Sequence, residues 1–122
     1  MFRKALLIIF LIGFSVASEK EYEIGKKLVQ QYNCLSCHDF SQKRTGPSFT
    51  EIAKKYGTGE EAVEQVAKII INPPSFMPPF KIPLEKAKAI ARYVLTEGAK
   101  AASKKQKKVY EDDYLDLDSQ FH

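Results

Sequence analysis

The sequence predicts an all-α domain of about four short helices. Three observations carry this reading. Apolar residues recur at three- and four-residue spacing in several separate segments, and no segment alternates apolar and polar residues with period two. Five of the six prolines crowd into one twelve-residue stretch, Asn72 to Pro83. A period near 3.6 marks helices with one buried face, whereas prolines at that density leave no regular element standing.

The amino terminus comes first. Arg3 and Lys4 precede an apolar run from Ala5 to Phe14, which gives way to the small-residue stretch Ser15 to Ser18. This is the layout of a secretory signal, cut after Ala17 or Ser18. The apolar run falls short of the roughly 20 residues that cross a bilayer, so the membrane is involved only if the signal stays uncleaved. No cysteine lies near the cut to carry a lipid anchor. Residues 1–18 are therefore read as a signal peptide, residues 19–98 as the domain, and residues 99–122 as a charged tail expected to be flexible. Loss of Arg3 and Lys4 lowers the net charge from +4 to +2, a balance that gives no warrant for nucleic-acid binding. The remaining chain, about one domain in length, is short enough to need a staple or a bound group to complete its core.

Ile24, Leu28 and Tyr32 follow at helical spacing, with lysines on the opposite face. A polar loop containing Gly46 and Pro47 comes next. Ser48 and Glu51 form a capping-box pair that opens a short helix through Tyr56. Thr58 and Glu61 repeat that signature before a helix whose inward face is Val63, Val66, Ala67 and Ile70. After the proline-rich loop, Leu84, Ala87, Ala91, Val94 and Leu95 line a last helix that Gly98 is expected to end. Beyond it, a lysine block is followed by an acidic block with interspersed tyrosines and leucines, the composition of a solvated tail or a docking segment.

The chemistry is concentrated in "YNCLSCHDF", Tyr32 to Phe40, which holds both cysteines of the chain. A zinc site needs four ligands; here three stand within five residues, and the other histidine, His122, is at the far end. A thiol–disulfide oxidoreductase places C-x-x-C at a helix start beside a βαβ unit, yet this pair follows a helix and no strands are evident. C-x-x-C-H is also the attachment signature of a c-type haem. Cysteines three apart on a helical turn project to one side, as two adjacent vinyl groups require, and His38 follows as a candidate axial ligand of the iron. The mature chain has a single methionine, Met77, lodged between proline pairs in "SFMPPF". Pro78 pushes it towards extended backbone, and the prolines limit the freedom the loop loses on folding. A stiff loop presenting one thioether suits a second axial ligand better than a core filler.

In order and spacing, "CLSCH", "TGPSF", "FMPPF" and the closing helix "IARYVL" resemble the class I c-type cytochromes, and the small bacterial monohaem members most of all. The resemblance covers Tyr22 to Gly98. It implies a cytochrome c fold of short helices around one haem c, attached by thioethers to Cys34 and Cys37. By the same resemblance His38 and Met77 are the axial ligands, and Pro47 lines the histidine side, its carbonyl accepting a hydrogen bond from Nδ1. Gly25 matches the small residue that lets the closing helix approach, with Tyr93 packed across that crossing. The chain has no tryptophan, which leaves Lys43, Arg44 and Tyr56 as candidates near a propionate. Phe49, Ile52, Phe76, Phe80 and Ile82 are expected to wall the ring.

The resemblance implies a periplasmic, monomeric one-electron carrier between a respiratory donor complex and a terminal oxidase or reductase, with no catalysis of its own. Two rivals stay open: a haem-bearing electron-transfer subunit of a larger dehydrogenase or reductase, and a haem sensor or weak peroxidase in which Met77 is labile.

Overall fold

The computed structural model describes residues 18–74 and 76–120, with side chains described as far as Asp116. The signal sequence proposed for residues 1–18 and the histidine His122 lie, Ser18 apart, outside the described residues. Helix α1 covers residues 18–31. A 3-10 turn at Cys34–Ser36 precedes helices α2 (Phe49–Tyr56), α3 (Glu60–Ile71) and α4 (Leu84–Gln120). Among the described residues there is no strand, and the fold class is all-α.

Helix α4 is the spine against which α2 and α3 pack. Its buried stripe, Ala87, Ile90, Ala91, Val94 and Leu95, meets Phe49 and Ala53 from α2 and Val63, Val66, Ala67 and Ile70 from α3 in one core. Helix α1 joins it through Leu28 and Val29. The crossing is close because Gly25 faces α4. A Cβ there would collide with the carbonyl oxygen of Ala89 and come within 3.0 Å of the Tyr93 Cβ. Tyr22 and Tyr93 stack across the same crossing with ring centroids 5.2 Å apart, and Tyr22 donates its phenol hydrogen to Glu97. On the other flank Arg92 of α4 bridges Glu21 of α1 at 3.0 Å and Glu60 of α3.

Helix starts follow the sequence in one case and not in another. At α2 the capping box is complete: Ser48 Oγ accepts from Glu51 N at 3.0 Å, and Glu51 Oε2 accepts from Ser48 N at 3.2 Å. At α3 the expected Thr58–Glu61 box does not form. Gly59 occupies the cap position with no side-chain bond, one residue later than expected, and Glu60 and Glu61 in the first turn complement the helix dipole instead. The inward face of α3 is as read from the sequence, but one position read as inward in α1 and one in α4 are not buried. Ile24 is 44% exposed and Leu84 38% exposed. Placing Gly25 at the closest approach turns Ile24 outward, and Leu84 is the first residue of its helix.

The largest departure is at Gly98, which does not end α4. It lies on the inward face one turn beyond Val94, where a Cβ would overlap the carbonyl oxygen of Phe49. The absence of a side chain serves close packing here, not termination. The residues that follow are first rich in alanine and lysine, which sustain a helix, and no proline intervenes before Gln120. The tail expected to be flexible is thus drawn into the helix. Ala99, Ala101 and Ala102 are half-buried against the domain, and every side chain from Ser103 to Asp116 is exposed.

Candidate functional site

The cysteine turn is built by a reversal at the end of α1. Asn33 adopts a left-handed conformation, φ 55° and ψ 39°, one that asparagine tolerates better than most residues. Its carbonyl accepts from Ser36 N at 3.0 Å and from Ser36 Oγ at 2.7 Å. The carbonyl of Cys34 then receives Cys37 N at 3.3 Å and His38 N at 3.0 Å. Residues three apart eclipse one another on a 3-10 turn, so Cys34 and Cys37 share one side of it. No disulfide joins them; Cys34 is half-buried and Cys37 exposed. Burial pushes the Cys34 thiol pKa up, against a smaller lowering from its own backbone amide. That is opposite to the lowered pKa of a redox-active nucleophile.

His38 is held by the loop that follows. Its Nδ1 lies 2.7 Å from the carbonyl oxygen of Pro47. A carbonyl only accepts, so Nδ1 carries the hydrogen and Nε2 presents its lone pair. This contact is the one the sequence resemblance leads one to expect. Beneath the ring lies Gly46, where a Cβ would overlap Cε1 and approach Nδ1 to 2.8 Å. The loop is fixed by Gly46 N to Cys37 O at 2.8 Å, Arg44 N to Gly46 O at 3.1 Å, and Arg44 Nη1 to Leu35 O at 3.0 Å. The Asp39 carboxylate accepts from Gln42 N at 2.9 Å and Ser41 N at 3.0 Å, and these amides hold its pKa below the usual range.

Phe49 closes the inner side. It is 1% exposed, with its ring centroid 6.1 Å from His38 and 5.3 Å from Phe40. Phe49 N donates to Asp39 O at 2.8 Å, and Thr50 Oγ1 lies 2.9 Å from Phe40 O and 3.2 Å from Gly98 O. The loop, α2 and α4 are therefore tied together behind the imidazole.

Met77 lies in the loop between α3 and α4, half-buried and packed against the core together with Ile52, Phe80 and Ile82. Phe80 anchors that loop. Its N donates to Ile70 O at 3.4 Å, and its ring meets Tyr32 edge-on with centroids 5.6 Å apart. Phe76 departs from expectation: it is 98% exposed and forms no part of the wall. Of the candidate propionate partners, Arg44 is engaged with Leu35, Lys43 is exposed, and Tyr56 packs against the core under Lys55 Nζ, 5.3 Å from its ring centroid.

The sequence reading places Gly46 only in a polar loop and misses it as a cradle for the imidazole. It missed Thr50 altogether. A glycine immediately before the proline that faces His38 is the signal that identifies the first. Thr50 carries no such signal, because its bonds join residues far apart in the chain. Among the described residues no three His, Cys, Asp or Glu side chains gather as a metal-binding cluster. The donor set present, two thiols on one side of a turn, an imidazole with a fixed tautomer and a thioether on a stiff loop, suits a covalently attached haem.

Comparison with known proteins agrees. A family model described as cytochrome c oxidase, cbb3-type, subunit III, matches residues 20–94. Cytochrome c-552 of Hydrogenobacter thermophilus is 31% identical over 102 residues, covering 77% of this chain and 97% of that protein. Cytochrome c-551 of Pseudomonas denitrificans is 31% identical over 78 residues, covering 59% and 95%. Cytochrome c-551 of Stutzerimonas stutzeri is 30% identical over 101 residues, covering 77% and 97%. No solved structure gives a significant match. The chain belongs to the c-type cytochrome family as a small monohaem electron-transfer member, and its cofactor is haem c.

Proposed function

We propose that the protein is an exported electron carrier in which Cys34 and Cys37 hold the haem through two thioethers and His38 and Met77 are its axial ligands. The observation that carries this is the 2.7 Å contact between His38 Nδ1 and Pro47 O over Gly46. It fixes the ring's tautomer and direction and leaves Nε2 for a metal. The haem, when bound, supplies one-electron chemistry at its iron.

The chain's own residues then set how that electron is held. A thioether opposite an imidazole raises the potential relative to two nitrogen ligands. With His38 and Met77 both holding the iron, oxygen and peroxide would find no open site, which favours a carrier over a peroxidase. Phe49, Ile52, Phe80 and Ile82 would keep water from the bound haem and thereby tune the same potential. The donor complex and the terminal oxidase or reductase are the partners this reading implies. Export rests on Arg3, Lys4 and the apolar run to Phe14. No helix among the described residues is long and apolar enough to cross a membrane.

The experiment is a redox titration of Met77→Ala beside the wild type. The expected result is haem still attached and a lower midpoint potential; an unchanged potential removes Met77 from the ligand set. A second reading, a subunit of a larger complex, is favoured by the matching family's description as an oxidase subunit. Co-purification of a stoichiometric oxidase or reductase partner from the native membrane supports that reading, and its absence supports a free carrier.

A further inference from the structure

The segment of α4 beyond the domain is an exposed helix that nothing in the domain covers. From Ser103 to Asp116 every side chain is exposed, including Val109 at 60%, Tyr110 at 67%, Tyr114 at 75% and Leu115 at 66%. Tyr110 and Tyr114 stand one turn apart and, with Ser103, Gln106 and Lys107, border a shallow, mainly apolar depression on one face. A helix this polar around most of its circumference gains little from packing of its own side chains, so contacts from outside the domain would add to its stability.

The order of charges identifies the partner. Lys100, Lys104, Lys105, Lys107 and Lys108 come first, and Glu111, Asp112, Asp113, Asp116 and Asp118 follow. The first turn of α4 carries Glu85, as the helix macrodipole favours, but its carboxyl end is unfavourable: the acidic block falls there and the last turn holds no base. The Lys107–Glu111 pair at 3.9 Å likewise has the lysine first, the weaker orientation at that spacing. The pattern is, however, complementary to its own reversal.

We infer that residues 100–120 form an antiparallel helix pair with the same segment of a second copy of this chain. The basic block of each copy lies along the acidic block of the other, and Tyr110 falls near the two-fold axis. A parallel pair sets lysines against lysines and acids against acids. Antiparallel pairing also sets the two helix dipoles in opposite directions. The lengths agree: with residue 110 at the centre, the end of one helix at Gln120 reaches the level of Lys100 on the other, just clear of its domain. At about 1.5 Å per residue, the two domains sit at opposite ends of a rod and do not collide. Such a pair differs from the monomer expected from the sequence. Because the pairing is mostly charge on an exposed surface, it weakens with salt.

Analytical ultracentrifugation of the full exported holoprotein, at low and at high ionic strength, tests this. The expected result is a dimer at low salt whose dissociation constant rises at least tenfold at high salt. Reversing one block, either Lys104, Lys105, Lys107 and Lys108→Glu or Glu111, Asp112, Asp113 and Asp116→Lys, is expected to give a monomer. Mixing the two reversed variants is expected to restore a dimer containing one of each. The haem absorption spectrum is expected to be the same in all samples, which separates a failed pairing from a failed cofactor site. A wild type that stays monomeric at low salt overturns the inference. So does a dimer that either single-block reversal leaves intact, or two reversed variants that do not combine.

Discussion

The Nδ1 of His38 and the carbonyl oxygen of Pro47 stand 2.7 Å apart, and the imidazole rests on Gly46, where no side chain fits. Gly46→Ala therefore has to move the ring or the loop. Overpacking of this kind costs about 1–3 kcal/mol. The expected outcome is a haem that stays attached, a lower denaturant midpoint, and a higher potential because the imidazole donates less strongly once its Nδ1 partner is displaced. Redox titration and chemical unfolding of the purified variant measure both.

The helix crossing rests on the same kind of contact. Gly25→Val is expected to lower stability by about 2–3 kcal/mol, since the new side chain meets the backbone of Ala89 and the Cβ of Tyr93. Thermal unfolding of the holoprotein reads the loss. A stability within about 0.5 kcal/mol of wild type, the range of ordinary surface substitutions, contradicts the crossing geometry.

Arg92 joins three helices through Glu21 and Glu60. Burial works against its charge, but the two carboxylates outweigh that and hold its pKa above the ordinary value. Glu60 is largely exposed, so the pair with it is screened. Arg92→Met is expected to cost about 1–2 kcal/mol, with a smaller difference in high salt. Urea unfolding at two ionic strengths checks it.

Tyr22 gives a pH signature. Its hydrogen bond to Glu97, then burial, then the Glu97 charge push its pKa well above the usual value of 10.0. A raised folded pKa means the stabilisation is complete below the unfolded value and is lost as pH rises through the folded one. Tyr22→Phe is expected to be less stable than wild type by about 1 kcal/mol at neutral pH. That difference is expected to shrink as pH rises above 10, when the unfolded chain ionises first. Unfolding curves from pH 7 to 11.5 show the convergence or its absence.

What could be read ahead of the structure follows from how local each feature is. The Ser48–Glu51 box and the stripe Val63, Val66, Ala67 and Ile70 are properties of consecutive residues, and they appear as read. The cysteine turn is legible because its five residues make one local structure. Gly98 was misread because a glycine near a helix end looks the same whether it terminates the helix or admits a neighbour. Only the carbonyl of Phe49, 49 residues earlier, distinguishes the two. Ile24 was placed inside for a similar reason: periodicity locates a stripe but not the rotation that Gly25 imposes. The outward Phe76 has no sequence signal at all, since an aromatic beside Met77 reads as a wall residue.

Attachment through Cys34 and Cys37 is tested most directly by digesting the purified holoprotein and weighing the peptide that contains both cysteines, after treatment with a thiol-alkylating reagent. The expected result is the peptide's mass plus one haem, with neither cysteine alkylated. A peptide of unmodified mass carrying two alkyl groups contradicts it.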